Sequence, residues 1–501
     1  MSDQKRVHVI GAGPAGLTAA YALGRRGIAS SVYEADSIVG GIARTVEYKG
    51  FRFDIGGHRF FSKVRAVRDI WHDLLGSQFI TRPRLSRIYF DGLFFDYPLK
   101  ASNALRQLGP IKAAKIGMSY AWAQLRPIRP EVSFEDWVVN RFGRELFDTF
   151  FKAYTEKVWG IPCSTISAQW AAQRIKGLSL WVAAREMLMA PFRRGATKVR
   201  SLIEQFEYPR LGPGQLWEAC AERVHRTGGE VRLRTPVVGI HHQDGRIEAI
   251  DIVDNGVTRR VPVDALISTM PMRTLVQAMN PQAPERIRQM AEQLSYRDFL
   301  TVALVIDEQE TFPDNWIYVH DKKVKLGRIQ NFKNWSPDMV PSPEKTCLGL
   351  EYFCFEGDGL WSMSDAELIA LGTREVGEIG LVDPAKVIDG AVVRVPKAYP
   401  VYDGKHLEAL EVLREYFAGF SNLQLAGRNG LHKYNNQDHA MITGILAAEA
   451  LLGKKVDPWT VNVEDEYLEE GDMFGMASDL DELLTTQPPV PVPAPVGARH
   501  E

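Results

Sequence analysis

Three glycines near the N-terminus have the spacing of a dinucleotide phosphate site. They are Gly11, Gly13 and Gly16, and Glu34 closes the next apolar stretch. Gly11 permits a tight turn, Gly13 lets the backbone approach a pyrophosphate, and Gly16 lets a helix pack closely on a strand. The start of that helix would face the phosphates, and Glu34 is placed to accept hydrogen bonds from ribose hydroxyls. The pattern therefore predicts dinucleotide binding.

A second glycine turn follows the acidic residue and favours FAD over NAD as the dinucleotide. It includes Gly41 and ends in Arg44, and both are predicted to contact the cofactor. A third loop places Gly57, itself preceded by a glycine, directly before His58. Such a loop lets the backbone run close over a flat ring, so that the imidazole can reach the reactive edge of a flavin. On local sequence alone, a structural turn with a capped histidine explains this loop equally well.

Two arginines from distant parts of the chain, Arg174 and Arg328, are candidates for binding a diphosphate. Both guanidinium groups are always charged, and two planar forks can grip phosphate oxygens bidentately. Tyr318, Tyr399 and Tyr434 can add hydroxyl donors. The alternative is that these arginines make surface ion pairs, as most arginines do.

Short apolar segments surround these motifs and predict the elements that position them. The predicted elements are strands at 7–10, 31–33, 230–234, 236–240, 265–269 and 423–427, and helices at 17–23 and 440–452. Residues 296–356 alternate apolar and polar side chains, which predicts an antiparallel sheet that could floor a substrate pocket. The predicted fold class is α/β, with a discontinuous Rossmann-like (GR2-type) FAD-binding domain, a helical substrate domain and an antiparallel sheet domain.

The order of these elements predicts the domain boundaries. Residues 1–60, 206–270 and 385–455 are expected to form the FAD-binding domain. Residues 61–205 are expected to form the helical substrate domain, and residues 271–384 the sheet domain. Residues 456–501 form a C-terminal extension with a proline-rich tail, for which we predict disorder.

Length and composition limit the class of protein to which the chain can belong. A chain of 501 residues is too long for one hydrophobic core, so two or three domains are expected. With 60 basic and 62 acidic residues, the overall balance gives no reason to expect nucleic acid or an anionic membrane as partner. The four cysteines lack close pairs, which predicts reduced thiols and no metal site. We expect no signal peptide, no integral membrane association and a cytoplasmic location.

Taken together, the motifs resemble those of UDP-galactopyranose mutases, particularly the eukaryotic type, within the amine-oxidase and protoporphyrinogen-oxidase FAD superfamily. Each motif alone is weak, but several occur in the family's order at closely similar spacing. The matching segments are the His58 loop, 97–99, 150–159, 170–174, 315–318, Arg328 with 334–337, 398–400 and 427–439.

The resemblance implies an unusual redox-neutral reaction of reduced FAD. Its N5 atom attacks the anomeric carbon of a nucleotide-diphosphate sugar and displaces the diphosphate, which interconverts the pyranose and furanose forms. The residues implied to be catalytic are His58, which would position the flavin, with Arg174 and Arg328. NADPH is a candidate reductant by analogy with the eukaryotic-type relatives, although no second dinucleotide motif is found.

The resemblance also implies two sets of binding residues. Substrate contacts are expected from Tyr97, Lys100, Thr155, Trp159, Arg174, Trp316, Tyr318, Arg328, Tyr399 and Tyr434. Cofactor contacts are expected from Gly11, Gly13, Gly16, Glu34, Gly41, Arg44, Gly57, His58, Val238, Gly427, Arg428, Asn436 and Gln437. No metal ligand is implied.

Two positions depart from the family pattern at the end of the site that would read the base. Lys100 stands where the eukaryotic-type mutases have glutamine, and Thr155 where they often have asparagine. These changes alter the donors and acceptors offered to a base, so diphosphate binding is a firmer expectation than uridine, and uridine than galactose. The alternative function is an FAD-dependent oxidoreductase acting on a sugar or another small molecule, although such enzymes usually lack paired arginines. An oligomer is left open.

Overall fold

The glycine-rich segment folds as a strand, a turn and a helix in the computed structural model, which describes residues 6–62, 64–97, 101–168, 205–403 and 405–461. The strands are β1 Val7–Ile10, β2 Ser30–Tyr33, β3 Thr45–Tyr48, β4 Phe51–Asp54, β5 Phe79–Pro83, β6 Ser86–Phe90, β7 Leu93–Asp96, β8 Gln205–Pro209, β9 Glu230–Arg232, β10 Val237–Gln243, β11 Arg246–Asp254, β12 Val257–Pro262, β13 Ala265–Ser268, β14 Met279–Asn280, β15 Tyr296–Ile306, β16 Trp316–Val319, β17 Arg328–Asn331, β18 Thr346–Cys354, β19 Val387–Pro400 and β20 Leu423–Leu425.

The helices of the described residues lie between these strands. They are α1 Pro14–Arg25, α2 Arg65–Leu75, α3 Ala101–Leu125, α4 Phe134–Phe142, α5 Arg144–Leu146, α6 Lys152–Trp159, α7 Gly214–Arg226, α8 Met272–Gln277, α9 Glu285–Glu292, α10 Phe332–Trp335, α11 Asp365–Glu378, α12 His406–Ala418, α13 Gly427–Gly430 and α14 Gln437–Leu451. A π-helical turn, Phe147–Phe151, leads into α6.

A five-stranded parallel sheet carries the N-terminal glycine motif. Its strand order is β20-β13-β1-β2-β9, so strands from distant parts of the chain meet around β1. Every residue of β1 and β13 is buried, as expected for a parallel sheet covered on both faces. Helices α1, α7 and α14 share one apolar core with this sheet. The predicted α/β class, with a parallel sheet and separate antiparallel sheets, is confirmed.

A seven-stranded sheet forms the second layer that matters for the site. Its order is β19-β15-β18-β17-β16-β6-β7, and all its pairs are antiparallel except β16 with β6. Side chains alternate between its two faces. In β18, Leu348 and Leu350 join a core that includes Leu368 of α11, whereas Glu351 points to the opposite face with its partner on β17. One face is therefore apolar and covered, and the other is available for polar groups.

One hairpin turn explains why residues 86–96, which lie in the segment expected to be helical, form two strands. Strands β6 and β7 are joined by Asp91 and Gly92, both with positive φ (49° and 77°). An Asp-Gly pair of this kind makes the tight turn that fits the twist of a hairpin. The strands β6 and β7 then extend the seven-stranded sheet.

The segment predicted as a strand at 236–240 belongs to a different sheet from the one expected. Strand β10 pairs antiparallel with β11, in a four-stranded sheet of order β12-β11-β10-β14, and does not enter the parallel sheet. Asp244-Gly245 and Asn255-Gly256 make the two connecting turns with positive φ, and such local turns favour a meander over a crossover.

Among the described residues, no helix combines the length and the apolar character required to cross a bilayer. All four cysteines are buried as free thiols.

Candidate functional site

The first two glycine motifs are in direct backbone contact. The amide of Gly40 donates to the carbonyl of Ala12 at 2.8 Å. A Cβ added to Gly41 (φ +54°) would lie 3.2 Å from the Cα of Gly13, so side chains are excluded where the two loops meet. Gly13 also caps α1 without a side-chain hydrogen bond. The start of α1 therefore keeps backbone N–H groups for an anion.

Two charged side chains flank this loop. The carboxylate of Glu34 accepts hydrogen bonds from the amides of Ala12 (2.7 Å) and Asp36 (2.9 Å), which fixes it at the carboxyl end of β2. Arg44 forms an ion pair with Asp36. Its Nε is buried and has no hydrogen-bond partner among the described residues. An orphaned guanidinium N–H beside an uncapped helix start suits the phosphates of FAD.

The segment before α14 closes the same region. Gly427 (φ +77°) would place a Cβ 2.9 Å from the Cβ of Ala15 in α1, so only glycine allows this approach. Arg428 bridges two backbone segments, since its Nη1 donates to Ala398 O at 2.9 Å and its Nη2 to Asn435 O at 2.6 Å. In the first turn of α14, the Gln437 Oε1 atom is buried without a partner among the described residues.

Two other predicted cofactor contacts lie at the edges of this arrangement. Asn436 is the N-cap residue of α14 and makes no side-chain capping bond. Val238 lies in β10 and is 50% exposed. The residues present thus fit a bound dinucleotide. It would be surrounded by α1, β2, the Gly41 turn and the start of α14.

The His58 ring is held in one tautomer. Its Nδ1 lies 3.1 Å from the carbonyl oxygen of Gly56. A carbonyl only accepts hydrogen bonds, so Nδ1 carries the proton and Nε2 carries the lone pair. Burial is the main cause that lowers the pKa of His58 to about 3, and the charges of Arg428 and Arg328 contribute to this shift. The imidazole is therefore neutral at physiological pH.

A row of side chains crosses the polar face of the seven-stranded sheet below this loop. Tyr318, Arg328 and Glu351 are opposite one another on β16, β17 and β18. The Glu351 Oε2 atom accepts from Arg328 Nε at 2.9 Å and from Nη2 at 2.5 Å, and its Oε1 accepts from Gln330 Nε2 at 2.9 Å. A Cβ added to Gly57 would lie 2.8 Å from that same Gln330 nitrogen. The histidine loop thus rests directly on this row.

The charge of Arg328 is maintained in spite of burial. Burial opposes the charged form, but the Glu351 carboxylate outweighs it, so the pKa of Arg328 lies well above its ordinary value. The cluster of Arg328, Arg428, Glu351 and His58 contains two positively charged guanidinium groups, one carboxylate and a neutral imidazole. Among these four side chains the cations exceed the anions by one, which favours an anionic ligand.

Aromatic side chains surround the row on both sides. Tyr399 and Tyr434 stack with ring centroids 5.7 Å apart, and the Arg428 guanidinium lies 5.3 Å and 4.7 Å from them. Trp159 meets the edge of Tyr399 at 6.4 Å. On the other side, Tyr97 lies 4.7 Å from Tyr318. Tyrosines with a stacked ring and a hydroxyl at its tip suit a ligand that is both polar and flat.

The aromatic helix α6 is anchored to the sheet by a buried lysine. The Lys157 ammonium donates to the carbonyls of Val319 (3.1 Å), Asp321 (2.8 Å) and Leu326 (2.9 Å), which uses all three of its N–H donors. Burial lowers the pKa of Lys157 to about 8. This clamp fixes Trp159, two residues further along, at the edge of the site.

The structure thus brings together most of the predicted site residues. Tyr97 and Arg328 lie against the Tyr318 ring, and Trp159 and Tyr434 lie against Tyr399. His58 belongs to the loop that rests on the row, Trp316 packs against Tyr318 at 6.4 Å, and Thr155 is buried in α6. Lys100 and Arg174 lie outside the described residues.

Sequence reasoning missed three residues of this site: Glu351, Gln330 and Lys157. Glu351 had a signal, because it is the one charged residue in the apolar strand Thr346–Cys354, and a buried charge requires a partner. No group of His, Cys, Asp and Glu within the described part of the chain could hold a metal ion.

Comparison with known proteins gives a family match over most of the chain. Residues 14–452 match the family described as flavin containing amine oxidoreductase. The fold is similar to that of reduced UDP-galactopyranose mutase, with a TM-score of 0.79 and 22% identity, covering 93% of this chain and 99% of that one.

Two curated relatives are similar in sequence over shorter spans. One is protoporphyrinogen oxidase 2, chloroplastic/mitochondrial, of Arabidopsis thaliana, which is 43% identical over 70 residues, or 14% of each protein. Another is 1-hydroxycarotenoid 3,4-desaturase of Flavobacterium sp. (strain P99-3), which is 23% identical over 267 residues. This match covers 49% of the chain and 53% of the desaturase. The chain therefore spans less than two thirds of the length of either relative.

Proposed function

The chain belongs to the flavin-containing amine oxidoreductases, an FAD-dependent enzyme superfamily, and from this premise we propose that it is a flavin-dependent nucleotide-sugar mutase. When bound and reduced, FAD supplies a nucleophilic N5 toward the anomeric carbon of a nucleotide-diphosphate sugar, which interconverts pyranose and furanose without net oxidation. The polar row Tyr318–Arg328–Glu351 below the histidine loop is the observation that carries this proposal.

Arg328 would bind the diphosphate of the substrate. Its Nε and Nη2 are occupied by Glu351, and its Nη1 makes no hydrogen bond with the described residues. A guanidinium that is only 18% exposed and has an edge open to a ligand is a strong donor to phosphate oxygens. Arg174, outside the described residues, is proposed as the second arginine of this pair, by resemblance to the mutases.

The remaining side chains would orient the sugar and exclude water. Tyr318, Tyr399 and Tyr434 offer hydroxyl donors around the row, and Trp159 offers a flat face. Neutral His58 would accept a hydrogen bond at Nε2 while its backbone loop supports the flavin ring. Positioning of this kind accounts for catalysis without a side-chain nucleophile.

The cofactor would be held by the residues around α1. Glu34 would accept the ribose hydroxyls, and the uncapped start of α1 with Arg44 would bind the phosphates. Gln437 and Asn436, at the start of α14, are proposed to contact the flavin. Activity should require reduced FAD, and NADPH is one candidate for its physiological reductant.

The likeness in fold to reduced UDP-galactopyranose mutase supports the proposal at the level of architecture. The second candidate, an FAD-dependent oxidoreductase acting on a sugar or another small molecule, is favoured by the oxidase and the desaturase among the sequence relatives. A charged, tyrosine-lined floor suits a nucleotide-diphosphate sugar better than the apolar substrates of many such enzymes.

The two candidate functions differ in which redox state of the flavin supports turnover. The purified protein would be incubated anaerobically with a panel of nucleotide sugars, once oxidised and once reduced with dithionite, and the products separated by chromatography. The mutase proposal expects a new isomer only with reduced protein, with no reductant consumed per turnover. Turnover by the oxidised protein, coupled to flavin reduction, would favour the oxidoreductase.

A further inference from the structure

Helix α3 presents an apolar stripe to solvent in its second half. Ile111, Met118, Trp122 and Leu125 are 76%, 66%, 57% and 77% exposed. Three of them recur at intervals of seven residues and the fourth lies one turn away from its neighbour, so all four share one face of the helix. Large exposed apolar patches on soluble proteins usually mark an interaction site.

The stripe is not the face by which α3 packs into the protein. Ile116 and Ala123, on the other side of the helix, are 7% and 5% exposed. Ile116 joins the apolar core under α4. Gly109 has φ +77° and ψ 167°, which breaks the helix and sets residues 110–125 as a separate rod of about four turns. Within the described part of the chain, the rod thus makes its core contact through Ile116 and not through the stripe.

Helix α3 and the turn that follows it carry basic side chains and no acidic side chain of their own. Residues 101–130 include five arginines and lysines, Arg106, Lys112, Lys115, Arg126 and Arg129, and no aspartate or glutamate. Lys112 is paired with Glu145 of α5 at 3.1 Å, and the Arg126 guanidinium lies 4.7 Å from the Trp122 ring. This local excess contrasts with the near-neutral chain as a whole.

We propose that this face of α3 docks on an anionic lipid surface. An exposed stripe of tryptophan, leucine, isoleucine and methionine, bordered by arginine and lysine, is the arrangement that places a helix in the plane of a bilayer interface. The apolar side chains would enter the headgroup boundary, and the basic side chains would contact lipid phosphates. We infer a lipid surface as the partner, and not a second copy of the chain, because two copies joined through this face would bring like charges together.

Docking would have a consequence for the candidate site. Helix α3 begins four residues after Tyr97, whose ring contacts Tyr318 on the polar row. A membrane-bound α3 would therefore attach the protein through the helix that follows this tyrosine along the chain. The docking proposal does not depend on the proposed mutase activity.

The test uses the full-length, FAD-loaded protein and flotation with large unilamellar vesicles. One vesicle population contains phosphatidylcholine alone, and the other contains phosphatidylcholine with phosphatidylglycerol. We expect the protein to float with the anionic vesicles and to be released by high salt. The triple variant M118S/W122S/L125S, and separately K115E/R129E, should each reduce the floated fraction roughly tenfold.

The matched control is V257S/I388S/L407S, since these side chains are 55%, 50% and 49% exposed on other surfaces. This variant should float like the unaltered protein. The proposal is overturned if the unaltered protein stays soluble with both vesicle populations, or if M118S/W122S/L125S still floats. It is also overturned if that triple variant lowers Tm, which would show the stripe packed within the chain, or converts a dimer to a monomer in sedimentation velocity.

Discussion

Glu351, which is fully buried, forms an ion pair with Arg328 in which one carboxylate oxygen accepts two hydrogen bonds, at 2.9 Å and 2.5 Å. They are cross-strand neighbours on β18 and β17, directly below the histidine loop. The pair keeps a guanidinium charged at the floor of the site and holds two of its donors in a fixed direction. Its geometry therefore sets where the remaining N–H donors of Arg328 can meet a ligand.

Replacing Glu351 with alanine should be strongly destabilising. Glu351 is fully buried, and its loss leaves the Arg328 charge without compensation. Removing one partner of a buried pair costs about 3 kcal/mol or more. Urea unfolding should show this loss for Glu351→Ala and a smaller one for Glu351→Gln, which keeps an acceptor. As control, Glu222→Ala in a solvent-exposed pair with Arg226 should change stability by less than about 1 kcal/mol. Equal effects of the two alanine variants would contradict the structural role of the pair.

Substituting Arg328 with lysine should weaken nucleotide-sugar binding and spare the cofactor. Lysine keeps a cation beside Glu351 but loses the planar fork, and a charge-assisted hydrogen bond contributes about 1.5–3 kcal/mol. The dissociation constant for a nucleotide diphosphate, measured by calorimetry, should rise by at least about tenfold. The FAD content, measured by absorbance, should stay unchanged, as it should in the control Arg374→Lys, whose side chain is 62% exposed. Loss of FAD from Arg328→Lys would reassign this arginine to the cofactor.

His58→Ala should damage turnover and leave substrate binding intact. Because the pKa of His58 is lowered to about 3 by burial and by two nearby guanidinium groups, its ring stays neutral across the ordinary assay range. The pH profiles of turnover for the unaltered protein and for His58→Ala should therefore have the same shape between pH 8 and about pH 5. An acid limb that disappears in His58→Ala would show a protonating histidine, and unchanged turnover would make the loop structural.

Acid should destabilise the fold in part through His320. This ring is buried against Tyr154, with centroids 4.3 Å apart, and burial followed by the Lys157 charge lowers its pKa from 6.5 to about 3. Between these values the unfolded chain binds a proton that the folded chain refuses, so stability falls as the pH drops below 6.5, by up to about 1.4 kcal/mol per pH unit.

The variant that isolates this effect is His320→Phe, which keeps the ring stack and cannot titrate. Its free energy of unfolding, from urea titrations at several pH values, should fall less steeply with acid than that of the unaltered protein. Substitution of the exposed His225 by glutamine serves as the control. Parallel pH dependence of His320→Phe and the unaltered protein would exclude a contribution from His320.

The cofactor motif could be predicted from sequence because its geometry is local. Gly11, Gly13, Gly16 and Glu34 lie within one strand–helix–strand unit, so their spacing alone places them around one turn. The hairpin turns Asp91-Gly92 and Asp244-Gly245 were equally local signals, and reading them would have moved β6, β7 and β10 into their sheets.

The floor of the site could not be predicted in the same way. Glu351 meets Arg328 only through the register of β17 against β18, and a shift of one residue would send Glu351 into the apolar core. Lys157 finds its three carbonyls in the loop and strand around residues 319–326, more than 160 positions away. Such partners depend on how distant segments pack, which the spacing of residues along the chain does not encode.

The most direct test of the central claim is covalent trapping on the reduced protein. The protein would be reduced anaerobically, offered a panel of nucleotide sugars and treated with cyanoborohydride, and the extracted flavin would be weighed by mass spectrometry. If the protein is a mutase, one or a few nucleotide sugars of the panel should yield a flavin whose mass is increased by that of one sugar. Unmodified flavin across the whole panel, together with turnover of another compound by the oxidised protein, would contradict it.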